Sequence, residues 1–199
     1  MNHMEQRRRI TETANHIRLI PATAEHAPVL FAIFNGVNTA KYSPVSKTSV
    51  EELAVRLGES GGNFTEQARF YRFFGEYHST IFGTFIVKSI DWHKQEAEIG
   101  FSLLDAWQGQ GLGSALVYSC VSKMFAESTF EQLWATVSVT NVACQRLMRS
   151  LGFSEYGLYK EPFHIKGTFV DQTLYRIRRE QWNAARRCPK TIASIPDHL

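Results

Sequence analysis

A short glycine-rich segment constrains the fold of this chain more than any other stretch. Glycines stand at alternate positions, Gly109, Gly111 and Gly113, between an apolar run suited to a buried strand and a run with helical periodicity. In the second run apolar residues recur every three or four positions, which is typical of a helix with one buried face. The glycines therefore fall at the first turn of a helix that follows a strand. Amides there have no intrahelical acceptor and lie at the positive end of the helix dipole, so the segment is predicted to bind a diphosphate.

Two other phosphate-binding motifs do not fit the same residues. A Walker P-loop needs Lys followed by Ser or Thr after its last glycine, whereas Gly113 is followed by Ser114 and Ala115. A dinucleotide fingerprint G-x-G-x-x-G would need a glycine at Ser114 or at Leu116. The remaining alternative to a phosphate site is a glycine turn that only permits tight packing of the strand against the helix.

The pattern that fits is Q/R-x-x-G-x-G/A, with Gln108, Gly111 and Gly113 at its fixed positions. It resembles the motif with which the GNAT superfamily of acetyl-CoA-dependent N-acetyltransferases wraps the pyrophosphate of coenzyme A. The run 141–153 is similar to the N-x-x-S/A...GF helix of that family, whose asparagine helps to hold the pantetheine arm. The residues that the resemblance assigns to cofactor binding are Leu103, Leu104, Gln108, Gly109, Gln110, Gly111, Leu112, Gly113, Ser114 and Asn141.

A further likeness concerns one branch of the family, which contains the RimJ/RimL-like ribosomal-protein N-terminal acetyltransferases. The spacing of Gly167, Asp171 and Tyr175 is similar to the G-x-x-x-D-x-x-x-Y close of that branch, and residues 17–23 look like its first strand. The resemblance covers roughly residues 16–178. It implies that the acceptor is the α-amine at a protein N-terminus.

The order of predicted elements indicates one α/β (α+β) domain. Residues 1–15 are interpreted as a polar N-terminal extension, 16–178 as a single acetyltransferase domain and 179–199 as a C-terminal tail. The GNAT resemblance implies a mixed, mostly antiparallel sheet of about seven strands with helices on both faces. It also implies a bulge in the central strand that splays it from its neighbour, so that the thioester lies in the gap. The predicted strands are 16–20, 69–77, 80–90, 96–104, 132–139, 153–159 and 168–177, and the predicted helices run from Thr23 toward Asn38, over 50–59 after a capping box, from 112 onward and over 141–151.

Composition excludes several classes of protein. A chain of 199 residues with 44% hydrophobic and 21% charged residues is typical of one soluble globular domain, and a net charge of +3 is too small to indicate nucleic acid as a partner. Three cysteines without paired spacing favour a reducing cytosol over a disulfide framework. No run approaches the roughly 20 apolar residues of a membrane span, and no apolar core of a secretory signal follows the start. We therefore expect a cytoplasmic protein without a metal or a membrane partner, and the oligomeric state is left open.

Acyl transfer to an amine defines which catalytic groups the chain must supply. The amine must be neutral, and an α-amine with a pKa of about 8 meets this at pH 7 far better than a lysine-type amine at about 10.4. A base takes the proton of the amine, a donor stabilises the oxyanion, and the leaving thiolate gains from a proton donor.

Two residues are candidates for the proton transfers. Glu98 matches a glutamate often found in this branch and is the predicted base, the alternative being a glutamate that faces solvent or pairs with an arginine. The tyrosine that many GNAT enzymes use as an acid is replaced by Met148. The branch instead places a serine three residues after the motif asparagine, where this chain has Cys144, a weak donor that is otherwise a buried structural cysteine. Further candidates on the acceptor side are Tyr156, Tyr159 and His164. The alternative for each is a wall or surface residue that transfers no proton.

The sequence thus predicts an N-acetyltransferase that moves an acetyl group from acetyl-CoA to a primary amine by direct attack. A protein N-terminus is the expected acceptor. The alternatives are an enzyme for a small molecule, such as a polyamine, an amino sugar or an aminoglycoside, and a non-catalytic acyl-CoA-binding module. The aromatic- and arginine-containing segment 61–75 is interpreted as part of the acceptor-side wall.

Overall fold

A single seven-stranded sheet organises the chain, with strands in the order β1-β2-β3-β4-β5-β7-β6. The computed structural model describes residues 3–43, 48–64, 67–165 and 168–186. The strands are β1 (Ile17–Pro21), β2 (Tyr71–Tyr77), β3 (Thr80–Asp91), β4 (Glu96–Leu103), β5 (Gln132–Ser138), β6 (Ser154–Ile165) and β7 (Thr168–Arg178). The helices are α1 (His3–Ala14), α2 (Ala27–Phe34), α3 (Val37–Tyr42), α4 (Val50–Gly58), α5 (Leu112–Glu127), α6 (Val142–Ser150) and α7 (Arg179–Arg186). The predicted mostly antiparallel sheet is confirmed, since β4 and β5 are its one parallel pair among the described strands.

The two central strands, β4 and β5, pair only near their starts. The paired residues are Glu96, Ala97 and Glu98 on β4 with Gln132, Leu133 and Trp134 on β5. Beyond this point β4 continues to Leu103 and β5 to Ser138 without pairing to each other, so a V-shaped gap opens between them. The predicted splay is confirmed, but the bulge expected in β4 is wrong. The register of β4 on β3 is unbroken from Glu98 to Leu103, and the shift in that pair lies in β3 beside Ser89, whose φ is +50°.

Helices cover both faces of the sheet, because alternate residues of its strands point to opposite sides. On one face α5 packs against Phe73, Phe85 and Ile99 of the central strands. On the other face α2 and α4 enclose Phe74 of β2 with a smaller apolar cluster. Ser49 caps α4 by accepting a hydrogen bond from Glu52 N at 3.2 Å, as the capping-box pattern predicted.

One predicted helix is divided in two. The stretch from Thr23 toward Asn38 forms a short 3-10 turn, then α2, and then the separate helix α3. The break lies at Gly36, whose extended backbone (φ −61°, ψ 142°) ends one helix and caps the next. The division matters for function because it turns α3 toward the end of β4.

Both chain ends add helices to the domain. In α1, Ile10 and Ala14 are buried against α5, which the polar composition of residues 1–15 concealed. Arg7 of α1 donates a hydrogen bond to the Ala185 carbonyl of α7 at 3.0 Å, while Arg8 and Arg9 are exposed. In α7, Trp182 is buried against the rings of Tyr118 and Phe125 on α5. The rest of the predicted tail, 187–199, lies outside the described residues.

Among the described residues, no helix combines the length and apolar content that crossing a bilayer would require.

The role of α7 can be tested at Trp182. Replacement with Ala should lower the free energy of unfolding by about 3–5 kcal/mol, because it removes a large, fully buried side chain. Urea unfolding followed by circular dichroism measures the change. The matched control is Glu180→Ala on the exposed side of the same helix, which should stay within about 0.5 kcal/mol of the unmodified chain. Equal effects of the two substitutions would show that α7 is not part of the folded domain.

Candidate active site

A cleft of about 480 Å³ lies where β4 and β5 separate. Its walls are the C-terminal end of β4, the loop that leads into α5, the first turns of α5 and α6, and one side of α3. Gln6 of α1 also lines the cleft. The helix α3 contacts β6 as well.

The glycine loop at the start of α5 has the backbone geometry that the predicted phosphate site requires. Gly109 and Gly111 have φ values of +74° and +82°, a left-handed region that a side chain disfavours. The first helical hydrogen bond of α5 runs from Ala115 N to Gly111 O at 3.2 Å. The amides of Leu112, Gly113 and Ser114 precede it, so they have no acceptor within the helix and can bind an anion.

Close approach of a ligand to this loop depends on Gly113. A Cβ atom placed there would lie 3.3 Å from Leu147 Cδ1 and 3.6 Å from Leu103 Cδ1, within the wall of the cleft. The residues present therefore fit the diphosphate and arm of coenzyme A. The predicted cofactor residues that line the cleft are Leu103, Gln108, Gly109, Gly111, Gly113, Ser114 and Asn141.

The side chains of three predicted cofactor residues lie outside the cleft. Gln110 turns back and donates from Nε2 to the Ala106 carbonyl at 2.8 Å, so its side chain closes the loop. The Leu112 side chain is buried in the core beneath α5, and Leu104 packs in the apolar cluster of α2 and α4. The side chains of Gln110, Leu112 and Leu104 shape the loop and the strand end rather than the surface of the cleft.

Asp105 connects the glycine loop to α3, a role that sequence reasoning missed. Its carboxylate accepts hydrogen bonds from the backbone N–H of Val37 at 2.8 Å and from Asn38 Nδ2 at 3.2 Å. It also accepts from Gln108 Nε2 at 3.1 Å, and the same amide donates to the Leu103 carbonyl at 3.2 Å. One carboxylate thus holds α3, the end of β4 and the phosphate loop together. Nothing in the local sequence marks an aspartate after a strand as such a link.

The first turn of α6 forms the wall opposite β4. Asn141 accepts a hydrogen bond at Oδ1 from Cys144 N at 3.1 Å, so it caps α6 while lining the cleft. Cys144 also lines the cleft, and burial raises the pKa of its thiol to about 12. The thiol therefore keeps its proton at neutral pH. Met148, at the usual tyrosine position, is fully buried in the core.

Glu98 lies at the vertex of the V, buried rather than facing solvent. Its carboxylate accepts hydrogen bonds from Ser89 Oγ at 3.0 Å and Thr136 Oγ1 at 3.3 Å, and Lys88 Nζ lies 3.3 Å from Oε1. The charged partner of Glu98 is therefore a lysine, and not the arginine of the alternative interpretation. Glu98 shares a face of β4 with Ser102, which lines the cleft, and the two residues are four steps of the strand apart, or about 13 Å.

The other acceptor-side candidates have different surroundings. Tyr156 is 42% exposed, and its ring lies 5.1 Å from the guanidinium of Arg176. Burial and the nearby Glu96 and Glu98 raise the pKa of Tyr156. Tyr159 is exposed, and the His164 side chain lies outside the described residues.

Tyr175, the last residue of the branch motif, has a structural role. Its ring is fully buried, and its hydroxyl donates to Glu155 Oε1 at 2.8 Å. The Glu155 carboxylate also accepts from Arg149 Nε at 2.8 Å, near the end of α6. The motif tyrosine therefore fixes α6 against β6 and β7.

Comparison of the chain with known proteins identifies the family to which it belongs. Residues 16–154 match the family model described as an acetyltransferase (GNAT) domain. The chain belongs to the GNAT acetyltransferase family. A curated relative, the uncharacterized N-acetyltransferase YoaA of Bacillus subtilis (strain 168), is 24% identical over 157 residues, which are 78% of this chain and 89% of YoaA.

Solved structures share the fold of this GNAT chain. The spermidine N-acetyltransferase from Vibrio cholerae in complex with CoA and spermine superposes with a TM-score of 0.76 at 19% identity, over 85% of this chain and 99% of that protein. RimL, a ribosomal-protein alpha-N-acetyltransferase in complex with coenzyme A, gives a TM-score of 0.72 at 20% identity, over 82% and 94% of the two chains. The predicted enzyme class is confirmed: the protein is an acyltransferase of the GNAT type that uses acetyl-CoA.

The link through Asp105 leads to a testable change in cofactor affinity. Asp105→Ala should weaken coenzyme A binding by about tenfold, because losing hydrogen bonds to a charged group frees both α3 and Gln108. Isothermal titration calorimetry with coenzyme A measures the change in affinity. Asp91→Ala is the matched control, since Asp91 also accepts from backbone amides, those of His93 and Lys94, at the far end of β4. A similar loss of affinity in both variants would refute a specific role for Asp105.

Proposed function

We propose that the protein acetylates the α-amine at the N-terminus of a protein or peptide, by direct attack of the amine on acetyl-CoA. The observation that carries the proposal is the gap between β4 and β5, which has free helix amides at one end and the carboxylate of Glu98 at its vertex. The branch motif in the sequence supports the same acceptor. So do two names among the similar proteins, RimL and the putative ribosomal N-acetyltransferase YdaF of Bacillus subtilis (strain 168).

The acidity of the acceptor amine favours an α-amine over an alkyl amine. The Glu98 carboxylate, which has one ammonium and two hydroxyl groups as partners, is the base at the vertex of the gap. An α-amine with a pKa of about 8 is partly neutral at pH 7 and needs little help, whereas an amine at about 10.4 needs a stronger base.

The proposed roles follow the position of each residue. The amides of residues 112–114 bind the diphosphate, and the backbone of Leu103 together with Asn141 holds the arm. Acetyl-CoA supplies the activated acetyl group. Glu98 takes the proton released by the attacking amine, and the protonated thiol of Cys144 donates a hydrogen bond to the leaving sulfur.

The proposal is tested by release of free thiol from acetyl-CoA with a panel of acceptors. Short peptides with a free N-terminus should support release, while the same peptides with a blocked N-terminus and spermidine should not. Gly111→Val should abolish release and coenzyme A binding, because a β-branched residue cannot adopt a φ of +82° without strain. Gly58→Ala is the matched control, with no atom within 4 Å of the added Cβ. Release with spermidine but not with peptides would instead establish the small-molecule enzyme.

The base assignment is tested by Glu98→Gln, which keeps the size of the side chain and removes its charge. Turnover should fall by about 10²- to 10⁴-fold, as expected for loss of a general base, while the affinity for coenzyme A stays the same. Steady-state kinetics and calorimetry separate the two. Glu96→Gln, two residues earlier on the same face of β4, serves as the control and should keep turnover within a few fold. Unchanged turnover in Glu98→Gln would remove this residue from the mechanism.

A further inference from the structure

A buried arginine lies on the face of the sheet that α2 and α4 cover, and it has no part in the functions described so far. Arg72 of β2 is 9% exposed. Its neighbours Tyr71 and Phe73 belong to the core beneath α5, so the Arg72 side chain points to the opposite face. Glu98 and Ser102 of β4 occupy that same face.

The contacts of Arg72 are with neutral groups. Nη1 donates to Thr84 Oγ1 at 3.1 Å, and the guanidinium lies 5.7 Å from the centre of the Phe34 ring. No carboxylate forms an ion pair with Arg72 among the described parts of the chain. A guanidinium has five N–H donors in a fork that matches a carboxylate, so most of its capacity is left over.

Among the described residues, the charge of Arg72 has no carboxylate as an ion-pair partner. Burial, together with the nearby cation Arg56 on α4, lowers the pKa of Arg72 to about 10, so the group is still charged at neutral pH. A buried charge without a counter-charge is strongly unfavourable. A buried arginine is stabilised at such a position when a bound ligand supplies the opposite charge.

The hydroxyl group that holds the guanidinium lies one strand away from a residue of the cleft wall. Thr84, which holds it, is the register partner of Ser102, and directly opposed residues of an antiparallel pair share a face. Ser102 lines the cleft. Between Ser102 and Glu98 the face carries only Gly100, where an added Cβ would meet one atom within 4 Å, Cγ2 of Ile86. The surface of the sheet at Gly100 therefore carries no side chain. It separates the Glu98 carboxylate at one end from the hydroxyl groups of Ser102 and Thr84 and the Arg72 guanidinium at the other.

We infer that the acceptor carries a carboxylate near its reactive amine, and that Arg72 binds this carboxylate. The inference rests on the proposed function and narrows it to peptides with an acidic side chain among their first residues. The amine is directed toward Glu98 and the acidic group toward Arg72. A polyamine would bring further positive charge beside a cation that is already unpaired, so polyamines are rejected.

The experiment compares two peptides that differ only by Asp against Asn at the second residue. In the protein saturated with coenzyme A, calorimetry should show the acidic peptide binding at least tenfold more tightly. In Arg72→Gln this preference should disappear through a loss of about 10- to 100-fold for the acidic peptide, while the amide peptide changes little. Arg56→Gln removes an exposed charge nearby and is the matched control, which should keep the preference.

The peptide comparison on the unmodified chain needs no variant, so it holds even if Arg72→Gln folds poorly. Arg72→Lys, which keeps the charge but loses the fork, should retain part of the preference. Equal affinity of the unmodified chain for the two peptides would overturn the inference, as would an equal loss for both in Arg72→Gln. Arg72-dependent binding of the acidic peptide without thiol release would contradict the proposed function alone.

Discussion

The end of pairing between β4 and β5 is the constraint on which the rest of this structure depends. Up to Glu98 and Trp134 the two strands share a parallel ladder, and beyond them each strand keeps only its antiparallel neighbour. The backbone groups left facing the gap need partners, since unpaired polar groups away from water are unfavourable. In the proposed function, an extended ligand arm between the strands would supply them. The hydroxyl of Thr136, which reaches across to Glu98, marks where the sheet closes and the binding site begins.

The walls of the cleft are held by side chains that do not face it. Asp105 connects α3 to the phosphate loop, and the pair of Tyr175 and Glu155 fixes α6 on the opposite side. Both carboxylates accept several hydrogen bonds, which makes each link stronger than a single neutral contact. The loop glycines can thus adopt left-handed backbone conformations within a frame that is otherwise rigid.

Sequence patterns predicted the parts of this site that depend on local chemistry. The glycine loop follows from a local motif, and the splayed strands follow from the family resemblance. The division of the helix after Thr23 was missed, because Gly36 does not by itself distinguish a kink from a second helix. The helix at 3–14 was missed because Ile10 and Ala14 are its buried residues within a polar segment. Arg72 could not be assigned, since only the placed strands show that it is buried and that its described contacts are with neutral groups.

The family match begins at residue 16, yet Gln6 of the preceding helix α1 lines the cleft. Arg7, the next residue, bonds to α7, and α7 in turn packs on the helix that begins at the glycine loop. The helices α1 and α7 are therefore both connected to the end of the cleft at which α5 begins. A ligand bound there would stabilise the arrangement in which α1 and α7 are docked, so ligand binding and protection of these two helices from proteases form a single linked equilibrium.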